Sequence, residues 1–186
     1  AARVEELSVM QRIDRELNAS LEMDRAMRIT LEYAMRHSSA EVGLIGMMEE
    51  DRIRLMAQEG YDDVFTDPSN GHLPADMPTI KPALESGQPS QISLIATGEK
   101  GLLPAAHTQI VIPIRREADV IGLLLLESIS DSQENLAFLN RLSDNAAIAI
   151  YNSQLFEQIK RQSAELLKAN QAKDDFLSVV SHELRT

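Results

Sequence analysis

Apolar residues recur three or four apart over residues 3–17, at Val4, Leu7, Met10, Ile13 and Leu17. That spacing predicts a helix with one narrow stripe, which needs a partner helix to cover it. Asn18, Ala19 and Ser20 break the pattern. Asp24 is then placed to cap a second helix, in which Ala26, Met27, Ile29, Leu31, Ala34 and Met35 make a wider face suited to a core. From Ala40 the period changes to two. Val42, Leu44, Gly46 and Met48 alternate, Glu49, Glu50 and Asp51 interrupt, and Ile53, Leu55 and Ala57 alternate again, which predicts a β-hairpin with an acidic turn. Residues 109–115 and 119–129, around Arg116, Glu117 and Ala118, predict a second hairpin, apolar enough for the centre of a sheet. Pro113 has no N–H for a ladder, so a bulge or an unpaired edge is expected there.

Between the hairpins, residues 60–108 hold six of the seven prolines, and the pattern supports only a short helix near 79–86 and a short strand near 90–95. Long irregular segments of this kind often bind ligands. Asp131 and Glu134 have capping-box spacing, and no Gly or Pro follows, so one helix is expected from about 132 to the end, roughly 80 Å long. Its first half is broadly apolar (Leu136, Leu139, Leu142, Ala146, Ala149, Ile150), as if lying on the sheet. Its second half narrows to a seam of Leu155, Ile159, Leu166, Ala169, Phe176 and Val180 in one a/d register, with Gln162 and Lys173 as polar interruptions. Such a seam calls for a second copy of the chain, a parallel homodimer through the N- and C-terminal helices.

Eighteen basic and twenty-nine acidic residues give a net charge of −11 without basic clusters, which argues against nucleic acid and anionic membrane surfaces as partners. With no cysteine, disulfides, thiolate ligands, cysteine nucleophiles and thioether-linked chromophores are excluded, and a cytoplasmic setting is expected. No apolar run is long enough to span a bilayer, and the start, AARVEEL, has neither an initiator Met nor a signal-peptide pattern. The sequence is therefore expected to be a piece of a longer chain, which could itself be membrane-anchored.

Three blocks, SLEMDRAMRITLEYAMRHSSAEVGLIGMM, TQIVIPIRREADVIGLLLLES and SQENLAFLNRLSDNAAIAIYNSQLFEQ, together resemble a GAF domain, the small-molecule sensor module. The resemblance implies an α+β fold, an antiparallel sheet flanked by helices. It divides the chain into an N-terminal signalling helix (1–19), a GAF domain (20–158) and a coiled-coil linker leading into a further helix (159–186). The tail KDDFLSVVSHELRT resembles the H-box that opens the dimerisation and phosphoacceptor domain of sensor histidine kinases. In that family a Phe leads by six residues to a His preceded by Ser and followed by Glu, an apolar residue, Arg, and Thr or Ser. Phe176, Ser181, His182, Glu183, Leu184, Arg185 and Thr186 fill those positions, and the family's next residue is a Pro. A lone His on an amphipathic helix is ordinarily a solvated polar residue; here the number of matching neighbours argues otherwise.

On a helix, Phe176, Leu177, Val180 and Leu184 share one arc, while His182 points ~180° from its middle, toward solvent. The resemblance implies that one nitrogen of the neutral His182 ring attacks the γ-phosphoryl group of ATP held, with Mg²⁺, on another domain of the parent kinase. Glu183 would accept a hydrogen bond from the other nitrogen and stabilise the charge growing on the ring. Thr186, one turn beyond His182, could orient a water for removing phosphate from a response-regulator aspartate. No cofactor is expected within these residues. A ligand- or partner-driven shift of the long helix would reach His182 through the seam, where Gln162 and Lys173 leave two packings close in energy.

His37, His72 and His107 are too scattered for metal spacing. The GAF resemblance implies a pocket between the sheet and residues 60–108, for a small, mostly neutral ligand or none at all. The cyclic-nucleotide signature of the family is not recognisable, Asp62, Asp63, Asp67 and Asp76 disfavour phosphate, and Met47, Met48, Met56 and Met77 could line an adaptable pocket or simply fill the core. Two functions stay open. One is the sensory and signal-transmitting part of a histidine kinase, inactive without its ATP-binding domain; the other is a stand-alone GAF binding or dimerisation module whose helical tail merely dimerises it.

Overall fold

In the computed structural model the described residues are 2–19, 22–61, 71–131 and 133–185, without the side chains of residues 2–7 and 18. In chain order they form α1 (Ala2–Asn18), α2 (Met23–Arg36), β1 (Val42–Glu49), β2 (Arg52–Glu59), β3 (His72–Pro74), α3 (Lys81–Ser86), β4 (Ser90–Ser93), α4 (Leu94–Thr97), β5 (Thr108–Arg116), β6 (Asp119–Ser128) and α5 (Leu136–Glu183). The strands make one six-stranded antiparallel sheet in the order β3-β2-β1-β6-β5-β4. Both predicted hairpins are present, and β1 and β6 pair at the centre. β5 lies one strand in from the edge.

The run Leu123 to Leu126 is fully buried because both faces of the sheet are covered, so successive leucines serve opposite layers. Leu124 and Leu126 join Ile45, Ile110, Ile112 and Ile114 beneath α1, α2 and the start of α5. Leu123 and Leu125 join Val42, Leu44, Ile53 and Val111 on the other face, under Tyr61, Leu73, Ile80 and Ala83. The alternation read from sequence in the first hairpin thus reports one of two apolar faces.

α2 buries Ala26, Met27, Leu31 and Ala34 as expected, and Ile29 and Met35 pack at the margin of the same core. Thr30 and Tyr33 complete the buried face: the Thr30 hydroxyl donates to the Ala26 carbonyl, and Tyr33 donates to Glu16 of α1. Asp24 does not cap α2. It lies in the first turn, with Glu22 at the cap position, where an acidic side chain still complements the helix dipole. In α1, Met10, Ile13 and Leu17 are buried in the chain's own core, so the partner that this stripe requires is supplied in cis; Val4 and Leu7 lie outside the described side chains.

Pro113 faces Leu123 of β6, past the end of β4, which pairs β5 only from Thr108 to Val111. The register shift comes just after it, at Ile114/Arg115. The Pro113 carbonyl accepts from the Ser143 hydroxyl at 2.9 Å, tying β5 to α5. The strand expected over 90–95 ends at Ser93, which caps the single turn α4 by accepting from the Ala96 N–H.

α5 begins four residues later than the expected 132. The capping box does not form: Glu134 accepts from the Ser39 N–H, and Asp131 accepts from the Thr108 hydroxyl. Asn135 caps instead, accepting from the Phe138 N–H at 3.1 Å. The helix is 48 residues long, roughly 72 Å. Ser153 is its last buried residue.

Candidate functional site

His182 and Glu183 close α5 and are both exposed; Thr186 lies outside the described residues. The last turn is held by the Leu184 N–H on the Val180 carbonyl and the Arg185 N–H on the His182 carbonyl. The seam residues Ile159, Leu166 and Phe176 are 62%, 65% and 65% exposed, Leu155 is also exposed, and Val180 is half-buried. An imidazole at this point is accessible to a separate domain, and its neighbour in sequence is a carboxylate.

The other expected site lies where the sheet meets residues 60–108. Its interior is packed: Leu44, Ile53, Ile80, Val111, Leu123 and Leu125 have no solvent exposure. An open cleft of about 890 Å³ lies at one lip, between the β1–β2 turn, β3 and α3, with Met48, Arg52, His72, Asp76, Lys81 and Leu84 on its walls. Met48 and Met77 pack on this side, whereas Met47 and Met56 point into the helix-covered layer and cannot line a pocket here. The reason is register: strand residues one apart face opposite layers, so Met47 and Met56 lie opposite Met48 and Leu55, and the bulge at Ile45/Gly46 turns Ala57 to the helical side as well. Asp62, Asp63 and Asp67 lie outside the described residues.

Deep in the same layer is a polar group that sequence reasoning passed over. Glu127, 1% exposed, faces inward beside Leu123 and Leu125. Its Oε1 accepts from the Leu102 N–H (2.8 Å) and Gln109 Nε2 (2.7 Å), and its Oε2 from the Leu103 N–H (2.7 Å) and the Tyr61 hydroxyl (3.0 Å). Burial first, then the charge and hydrogen bond of Glu127, raise the Tyr61 phenol far above its ordinary pKa, so it stays a donor. Gln109 sits opposite Glu127 in the β5–β6 ladder. The signal was present in sequence: two polar residues on the inward phase of two otherwise apolar strands.

The three remaining histidines are separate. His37 lies against Tyr33 and Phe138, with ring centroids 6.3 and 5.0 Å away; His72 is 3.5 Å from Glu49, which also pairs with Arg54; His107 bonds through its backbone to Ser128 and Leu94. Among the described residues no three His, Asp or Glu side chains gather as a metal cluster, and no helix is long and apolar enough to cross a membrane.

The circadian input-output histidine kinase CikA of Thermosynechococcus vestitus is 24% identical over 221 aligned positions, covering 96% of this chain and 30% of the relative. Hybrid signal transduction histidine kinase G of Dictyostelium discoideum is 38% identical over 88 residues, 41% of this chain and 3% of the relative. The chain thus spans less than a third of either kinase. The GAF domain of the Acinetobacter phosphoenolpyruvate-protein phosphotransferase superposes with a TM-score of 0.66 at 16% identity, over 83% of this chain and 98% of that one. Residues 20–150 match the GAF domain family model, and these residues hold the whole sheet, α2 and the start of α5, so the chain belongs to the GAF domain family.

Proposed function

We propose that this chain is the sensory and signal-transmitting part of a two-component sensor histidine kinase, with His182 as phosphoacceptor. The observation that carries the reading is the continuity of α5: one uninterrupted helix leaves the GAF core at Ser153 and ends at an exposed imidazole followed by a carboxylate. Similarity to two histidine kinases over part of their length supports it.

In this reading a second copy pairs along the exposed seam as a homodimer, and a separate domain of the parent chain brings ATP and Mg²⁺ to His182. One ring nitrogen forms a bond to the γ-phosphorus as the bond to the ADP oxygen breaks, and ADP departs. Glu183 accepts a hydrogen bond from the other ring N–H, which carries the positive charge of the phosphorylated ring. The phosphoryl group then passes to a response-regulator aspartate, and Thr186 positions water if the protein also hydrolyses that aspartyl phosphate to inorganic phosphate. Movement of α5 against the sheet, in response to a small molecule or partner, is the switching input.

Mixing the chain with a purified histidine-kinase ATP-binding domain, Mg²⁺ and labelled ATP tests this. Acid-labile label on the wild type and none on His182→Gln is the expected result, with Glu183→Gln labelled much more slowly while equally folded. Label that survives His182→Gln moves the phosphoacceptor to another residue and overturns the role of His182, while a wild type that takes no label favours the stand-alone GAF module, whose packed sheet interior suits a dimerisation block without phosphotransfer.

A further inference from the structure

Four intrachain donors converge on the buried Glu127 carboxylate. An ionised carboxylate is acceptor-only, with about four lone-pair positions, and here two donors reach each oxygen. The donors come from separate parts of the chain: Tyr61 after β2, the consecutive Leu102 and Leu103 amides in the α4–β5 connection, and Gln109 in β5. None is charged, so the carboxylate is held by hydrogen bonds converging on it and not by one cation. The backbone passes so close that a Cβ added to Gly101 would collide with Glu127 Oε1. Gln109 turns its amide nitrogen to Glu127, and its Oε1 stays buried without a hydrogen-bond partner.

We infer that these four donors are a carboxylate-recognition site that the chain fills from within, Glu127 being the resident ligand that clamps the 98–107 segment onto the sheet. The inference stands on the GAF layer alone and does not depend on His182. It explains why this face of the sheet is closed: the segment that would cover a guest is latched to β6 by the chain's own side chain. It also names what the donors accept when that side chain is cut back, a short-chain carboxylate.

Glu127→Ala removes two carbons and the two oxygens they carry, the heavy atoms of acetate. Amide exchange at Leu102 and Leu103 is expected to accelerate by at least about tenfold in this variant, the factor that corresponds to losing one well-formed bond to a charged acceptor. Acetate, against chloride at equal ionic strength, is expected to slow that exchange again and raise the melting temperature, with no such effect on the wild type. Wild-type exchange at both amides in the variant, or a variant to which acetate does no more than chloride, overturns the inference. If Glu127→Ala does not fold, Gly101→Ala and Tyr61→Phe decide. The first is expected to loosen both amides and the second chiefly Leu103, whose bond shares Oε2 with Tyr61; unchanged exchange in both variants overturns it equally.

Discussion

The two halves of α5 share one backbone and differ in almost everything else. From Leu136 to Ser153 the helix buries Phe138, Leu139, Leu142, Ala146, Ala149 and Ile150 against the sheet and α2. Beyond Ser153 no described side chain of the helix is buried, although Leu155, Phe156, Ile159, Leu166, Leu167, Phe176, Leu177 and Val179 are all exposed apolar residues. A helix in water owes most of its stability to packing of its apolar face. The first half has that packing within the chain, and the second has the apolar face without the packing. The first half therefore belongs to the domain's cooperative fold, while the second can report a change in the domain only after pairing with something else.

The largest effect that separates the halves is expected at Leu142, which has no exposure and sits in the helix-covered core. Leu142→Ala should cost about 2–5 kcal/mol of unfolding free energy, the range for removing a buried leucine and leaving a cavity. Urea denaturation followed by circular dichroism measures it. A cost near zero would mean that α5 is not part of the core and that the proposed transmission has no anchor.

A smaller effect is expected where the helix starts. Asn135→Ala removes the side-chain bond to the Phe138 N–H and should cost about 1 kcal/mol. Asp131→Ala should cost less, because its carboxylate receives the partly buried Thr108 hydroxyl at 3.4 Å and caps nothing. If Asp131→Ala proved the more damaging of the two in the same denaturation assay, the cap assignment would be reversed.

That pair also shows what could be read from the chain. The period of the apolar residues identified both hairpins, α2 and the long helix, because each buries a face whose spacing follows from backbone geometry alone. The caps were misread at Asp24 and Asp131 because several acidic residues stand near each helix start, and tertiary partners decide which of them caps: Thr108 and Ser39 claim Asp131 and Glu134. The short β3 and α4 carry too few residues for any period to emerge. His182 is proposed from a motif local in sequence. The Glu127 cluster draws Tyr61, Leu102, Leu103 and Gln109 from across the chain, and its only local trace is a charge in phase with leucines.

The smallest expected effect on the domain, and the sharpest test of the comparison, is Leu166→Ala. Its side chain is 65% exposed and lies in the seam beyond the last buried turn. In the isolated chain the substitution removes no buried contact and replaces one strong helix former by another, so the unfolding free energy of the GAF layer should change by less than ~0.5 kcal/mol. In a paired helix the same leucine would be an a-position knob, and its loss should cost about 2 kcal/mol or more per buried side chain, weakening association by over tenfold. Sedimentation across a concentration series therefore reads out what denaturation of the domain does not. Unchanged association together with unchanged domain stability would leave the rear half of α5 with no partner of its own kind, and its exposed apolar residues would have to face a different protein.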